Sequence, residues 1–507
     1  MVQLAGLTLD DVVAVARRGE PVVLDDVVTQ RVARGHEIVR ALADSDRPAY
    51  GVSTGFGALA TVSIPVARRA ALQVSLIRSH AAGTGPLVPA EVVRAMMALR
   101  LTSLGSGLTG VRPEVVQTLT AMLNHNVVPA VHTYGSLGCS GDLAPLSHVA
   151  LAALGEGWVL ATSGVRPAAE ALAAAGIRPL VLQEKEGLAL INGTDGMLGM
   201  LTLALADLDD LMRLCDVGAA MTVEALLGTD RVFAEDLVGL RPHPGQATSA
   251  RNLRRLLAGS AIMASHRADT EHIVQDAYSL RCAPQVAGAA RDTLAFARAV
   301  AEREINAVID NPVVLPDGRV ESNGNFHGAP VGYALDFLAI VAADVASISE
   351  RRTDRLLDRT RSHGLPPFLA HETGVDSGYM IAQYAAAGIV STLKRLATPA
   401  SVDSIPSSAM QEDHVAMGWS AGLKLREAVD GLRRVLAIEI LVAARALDLR
   451  APLSAAPATA AVVAAVRDEV RGPGPDEIVS TQIDSVVRLA EQGRLLAAVH
   501  DVIGPLE

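Results

Sequence analysis

Residues 132–148 read HTYGSLGCSGDLAPLSH and set Cys139, Ser140, Gly141 and Asp142 side by side among glycines. Three chemistries compete for that run. Cys139 offers a thiol nucleophile, Ser140 a hydroxyl nucleophile, and the third option is a backbone reaction in which neither side chain attacks. Similar surroundings recur in AYGVSTGFG (49–57), LINGTDG (190–196), ESNGNFHG (321–328) and DSIPSSAMQEDH (403–414). Gly, Ser, Asn and Pro dominate these stretches, so they read as loops that display functional groups between regular elements.

The elements that must hold those loops are helical. Leu201, Leu205, Leu208 and Met212 fall at spacings of 4, 3 and 4, as do Val331, Leu335, Leu338 and Ala342. Similar patterns over roughly 377–398 and 417–448 predict helices longer than average, arranged as a bundle. The chain divides into a loop-rich N-terminal part, 1–195, a long-helix part, 196–450, and a C-terminal helical segment, 451–507, all within one integrated, mainly α fold. The charge run ERRTDRLLDRTRSHG (350–364) reads as a solvated or inter-chain helix face.

Composition agrees with helices. Of 507 residues, 50% are hydrophobic but only 3% aromatic, so Ala, Leu and Val must fill the core. A net charge of −11 with scattered basic residues argues against nucleic acid or an anionic membrane as partner. No uninterrupted apolar run approaches the length of a membrane span, and the N-terminus lacks the core of a secretory signal. Cys139, Cys215 and Cys282 fit neither a disulfide framework nor a CxxC metal knuckle, which suits a reducing, cytoplasmic setting.

Several motifs fail on inspection. GVSTG (51–55) matches a nucleophile elbow, but the preceding ALADSDRPAY is too polar to be the required buried strand. His36-Glu37 and His371-Glu372 lack the second histidine of a zinc signature, and there is no P-loop or dinucleotide fingerprint. No metal is expected.

GSLGCSGDLAPLSH resembles the cofactor loop of the aromatic amino acid ammonia-lyases. Further ordered matches run from YGVSTGFG through LIRSHAAG, EGLALINGTDG, QDAYSLRCAPQV, SNGNFHG and SGYMIAQY to SIPSSAMQEDHVAMGWS. The resemblance covers nearly the whole chain and is strongest to the histidine lyases of actinobacterial type. It implies that Cys139, Ser140 and Gly141 cyclise into a methylidene-imidazolone, with no external cofactor. The amide nitrogen of Gly141 attacks the carbonyl carbon of Cys139, an approach that only glycine leaves unobstructed. Loss of water closes the ring, and a second loss from Ser140 leaves an exocyclic methylidene. Only the backbone of residue 139 enters the ring, so Cys in place of the usual Ala is permissible. Asp142 matches the aspartate that assists cyclisation.

The same resemblance assigns Tyr50 as the base for the β-proton. A free phenol titrates at about pH 10, so the site must lower that value. Arg281 matches the partner of the substrate carboxylate, a task suited to a planar guanidinium. Asn192, Gln275, Tyr278 and Phe326 match further pocket positions. Ser79-His80 and Glu412 resemble the histidine-lyase pair that holds an imidazole, where phenylalanine and tyrosine lyases differ. Asp195 and Thr392 depart from the residues most frequent there, Gln and Glu. The implied activity is conversion of L-histidine to trans-urocanate and ammonia by a homotetramer with shared active sites. A tyrosine or phenylalanine lyase, or an aminomutase, is the alternative on the same scaffold.

Overall fold

The computed structural model describes residues 1–43, 54–55, 61–267 and 275–507. Tyr50, the assigned base, lies outside the described residues. Among the described residues helices dominate, and the strands form four two-stranded pieces, one parallel and three antiparallel. The longest helices are Asp195–Ala225, Ala329–Leu357 and Gly418–Asp448, with 31, 29 and 31 residues. All eight apolar residues singled out by their spacing are buried. The other two patterned regions are also helical, over Met380–Leu396 and within Gly418–Asp448.

The chain forms two compact units that interleave in sequence. The first comprises Met1–Ala206, Ala297–Asp336 and Pro399–Leu423; the second comprises Asp207–Phe296, Phe337–Thr398 and Lys424–Glu507.

In the first unit, the helix Ala90–Gly105 is buried on nearly every side. Leu9–Arg18 packs against it. A capping box on Thr8 and Asp11 starts that outer helix, and Gly19 ends it in the left-handed region. Ala90–Gly105 carries Arg94 and Arg100 into the interior, where backbone carbonyls receive their guanidinium N–H groups. Leu143–Ala153 and Glu186–Ile191 pack together nearby and lead into the site loops.

The second unit corrects one expectation. The charge run 350–364 is not simply a solvated face. Arg352 is fully buried and pairs bidentately with buried Glu439 at 2.5 and 2.7 Å, while Ser349 and Thr222 donate to the same carboxylate. Only part of that run faces solvent.

Although no uninterrupted apolar run reaches bilayer length, two helical stretches, Glu186–Ala225 and Ala329–Leu357, are long and apolar enough to cross a membrane. The apolar window is 100% buried inside the protein in the first and 61% in the second, as expected of core helices.

Candidate active site

The strand His132–Tyr134 feeds a glycine-rich loop that ends at the helix Leu143–Ala153. That loop is fixed by its neighbours. Trp419 Nε1 donates to the Thr133 carbonyl at 2.7 Å, Met417 N to Leu137 O at 2.8 Å, and Gly328 N to Gly138 O at 3.2 Å. Gly141 has φ +73°, and a Cβ built there would lie 2.1 Å from the Gly193 oxygen. Both its conformation and the space around it therefore demand glycine.

Asp142 is fully buried and accepts three hydrogen bonds. Ser136 Oγ donates to Oδ1 at 2.9 Å, and the backbone N–H groups of Gly196 and Met197 donate to Oδ2 at 2.9 and 2.8 Å. The last two belong to the first turn of Asp195–Ala225, where a negative charge is favoured. Burial nevertheless wins. It pushes the Asp142 carboxyl up to about 7, against the pull of Met197, Ser136 and Gly196, and the nearby Asp195 adds to the rise.

Cys139 and Ser140 line a cavity of about 420 Å³ shared with Asn311, Phe326 and Glu412. The Cys139 thiol donates to Glu412 Oε2 at 3.1 Å, Ser407 Oγ donates to the same oxygen at 3.0 Å, and Ser140 Oγ lies 3.5 Å from Oε1. An antiparallel bridge between Ser407 and Glu412 fixes the backbone that presents this carboxylate. Burial and the Glu412 carboxylate push the thiol up to about 12, so Cys139 is a hydrogen-bond donor and not a nucleophile.

His80 ends the helix Arg69–His80, with its Nδ1 3.0 Å from Ser79 Oγ. Burial lowers its pKa, while a hydrogen bond involving Leu76 and the charge of Glu412 oppose that shift. The imidazole is thus within electrostatic reach of Glu412. Asn192 caps the end of Glu186–Ile191 and donates from Nδ2 to Asn311 O at 3.1 Å, while its buried Oδ1 has no hydrogen-bond partner among the described residues. A buried acceptor left open beside the cavity wall is suited to a ligand N–H.

Gln275, Tyr278 and Arg281 belong to the second unit. Gln275 and Tyr278 are exposed; Arg281 stacks its guanidinium 4.6 Å from the Tyr278 ring centroid, and its buried Nε lacks a partner among the described residues. Thr392 is half-buried on Met380–Leu396, where its Oγ1 donates to the Gly388 carbonyl at 3.3 Å.

The sequence reading missed two groups. His327 and His414 line the same cavity with their rings stacked 5.7 Å apart, and the only sequence signal is their position inside two of the motifs. Lys185 is buried against Asp310 at 2.5 Å and also donates to Thr109 O at 2.8 Å, tying down the segment that leads to Asn311.

The family model described as aromatic amino acid lyase matches residues 7–468. The chain belongs to the aromatic amino acid lyase family. Among its relatives, the histidine ammonia-lyase of Streptomyces coelicolor is 61% identical, covering 100% of this chain and 99% of the relative. The one from Anaeromyxobacter dehalogenans is 49% identical over 96% of this chain and 98% of its own. Among solved structures, tyrosine aminomutase from Streptomyces globisporus has a TM-score of 0.94 at 36% identity, covering 99% of this chain and 98% of that one. Histidine ammonia-lyase from Trypanosoma cruzi has a TM-score of 0.91 at 38% identity, covering 99% and 95%. The fold is the long-helix type of the ammonia-lyases. As an aromatic amino acid lyase, the chain is a carbon-nitrogen lyase of a family that uses a methylidene-imidazolone.

Proposed function

We propose that this aromatic amino acid lyase converts L-histidine to trans-urocanate and ammonia, using a methylidene-imidazolone made from Cys139, Ser140 and Gly141. The residues fit that group. Gly141 has no room for a side chain, the Cys139 thiol is engaged with Glu412, and Ser140 borders the cavity. The group supplies an electrophile strong enough to make the amine of a bound amino acid leave.

The chain's own residues supply binding and proton handling. Glu412 offers a carboxylate to an imidazole N–H, and His80, whose pKa burial lowers, offers a second hydrogen-bonding partner. That pairing is the observation that carries the choice of histidine, since a bare phenyl ring has no use for either group. The open acceptor on Asn192 suits the substrate amine, and Phe326 gives an apolar wall. Tyr50 is the proposed base. Arg281, with Gln275 and Tyr278, is the proposed partner of the substrate carboxylate in a homotetramer with shared sites. The enzyme is proposed to be cytoplasmic and to need no metal or external cofactor.

Intact-mass measurement of the purified chain, paired with absorbance assays on histidine, tyrosine and phenylalanine, tests this reading. The expected result is a chain lighter by two waters that forms urocanate. Full mass in active enzyme, or coumarate or cinnamate as the main product, overturns it, and retention of the amine as a β-amino acid indicates an aminomutase.

A further inference from the structure

Arg100 lies on Ala90–Gly105 and is 0% exposed. Its guanidinium reaches two distant segments: Nη1 donates to Asn192 O at 2.8 Å and Nη2 to Ile309 O at 2.8 Å. Nη1 also lies 3.2 Å from Oδ2 of Asp195, a buried counter-ion. Burial raises the Asp195 carboxyl, and the charge of Arg100 opposes that rise.

Gly193 is wedged directly against this pair. A Cβ on it would stand 2.1 Å from Arg100 Nη1 and 2.3 Å from Asp195 Oδ2. The Gly193 carbonyl faces the reactive tripeptide, accepting the Asp142 N–H at 2.7 Å, and its oxygen occupies the space where a Gly141 Cβ would go. Arg100 with Asp195, then Gly193, then Gly141 form one column of contacts from the buried helix to the peptide that must react.

We propose that Arg100, balanced by Asp195, is a positioning residue for self-condensation of Cys139, Ser140 and Gly141: by holding the Asn192 carbonyl and packing on Gly193 it fixes the Asn192–Gly193 segment, whose Gly193 carbonyl braces the Gly141–Asp142 peptide. This rests on the proposed function, in which that tripeptide cyclises. The chemistry needs geometry and no added reagent. A bond forms between Gly141 N and the Cys139 carbonyl carbon. The Cys139 oxygen leaves as water with the amide protons of Gly141 and Ser140, and a second water takes the Ser140 hydroxyl and its α-proton. Bringing a weakly nucleophilic amide onto a carbonyl depends on fixing both within a narrow approach. A guanidinium can hold two carbonyls in one plane, whereas a lysine ammonium is a point charge.

Full-length protein carrying Arg100→Lys keeps a cation facing Asp195 but loses the fork. The double variant Arg100→Met with Asp195→Leu removes both charges together and so leaves no unbalanced buried ion. Each is expressed as a pulse and followed by intact mass and circular dichroism. Both are expected to fold yet to lose two waters at least about tenfold more slowly than wild type, as when reacting atoms are displaced by a fraction of an ångström. Wild-type maturation in a folded Arg100→Lys or double variant overturns the proposal. Wild-type protein that never loses water sinks the proposed function instead, so the two failures are distinct.

Discussion

Changing Cys139 to alanine takes a single donor from Glu412 and leaves Ser407 still donating to the same oxygen at 3.0 Å. A thiol is a weak donor, so the loss is about 1 kcal/mol, or about fivefold in KM for histidine, with two-water maturation unchanged. The native thiol should also be inert. Burial pushes it from the ordinary 9.0 up to about 12, so at pH 8 the thiolate is about one part in ten thousand, against about a tenth for an ordinary thiol. Ionisation alone should therefore slow alkylation by about a thousandfold relative to the same cysteine in the unfolded chain. Iodoacetamide labelling in buffer and in denaturant, read by peptide mass, measures that ratio. Native labelling within about tenfold of the unfolded rate, or loss of turnover in a fully matured Cys139→Ala, would refute the assignment of the thiol as a mere donor.

Three other substitutions probe different parts of the first unit. Glu412→Gln should lower kcat/KM for histidine by about 10- to 100-fold, the equivalent of a hydrogen bond to a charged group, while leaving the two-water mass loss intact; an unchanged kcat/KM would contradict the imidazole-binding role. His148 accepts the Gly83 N–H at Nε2, and burial, aided by His132, pulls its pKa down to about 4. Between about 4 and 6.5 the unfolded chain binds a proton that the folded chain does not, so the unfolding temperature should fall as pH drops through that window. His148→Gln should flatten that slope, and an identical slope in the variant would contradict the linkage. Lys185→Met strands buried Asp310 and should cost about 3–5 kcal/mol in urea unfolding at pH 7, whereas a loss below about 1 kcal/mol would show that the pair is not the anchor described.

The sequence carried the helices for a clear reason. Leu201, Leu205, Leu208 and Met212 repeat at helical spacing because one face of their helix must be dry, and that is a local signal. Gly141 stood out because its neighbours share a motif. Arg100 did not, because a lone arginine in an apolar helix reads as a snorkelling side chain. Its significance comes from the carbonyls of Asn192 and Ile309, which are 92 and 209 residues away. Arg352 was misread in the same way, since its partner Glu439 is 87 residues distant. Gly193 looked like any loop glycine, and only the guanidinium pressed against it reveals why no larger residue fits. The interleaved units were equally invisible, because no composition change marks where the chain returns.

The mutual approach of Gly141 and Gly193 has a consequence for how the enzyme comes into being. The contact brings together stretches from either side of Leu143–Ala153 and Glu186–Ile191, and it exists only once those helices have docked. A nascent or denatured chain therefore holds its reactive tripeptide as ordinary peptide. In the proposed maturation, catalytic competence is a second birth that follows folding, and unmatured protein diluted from denaturant should regain its helical signal before its mass begins to fall.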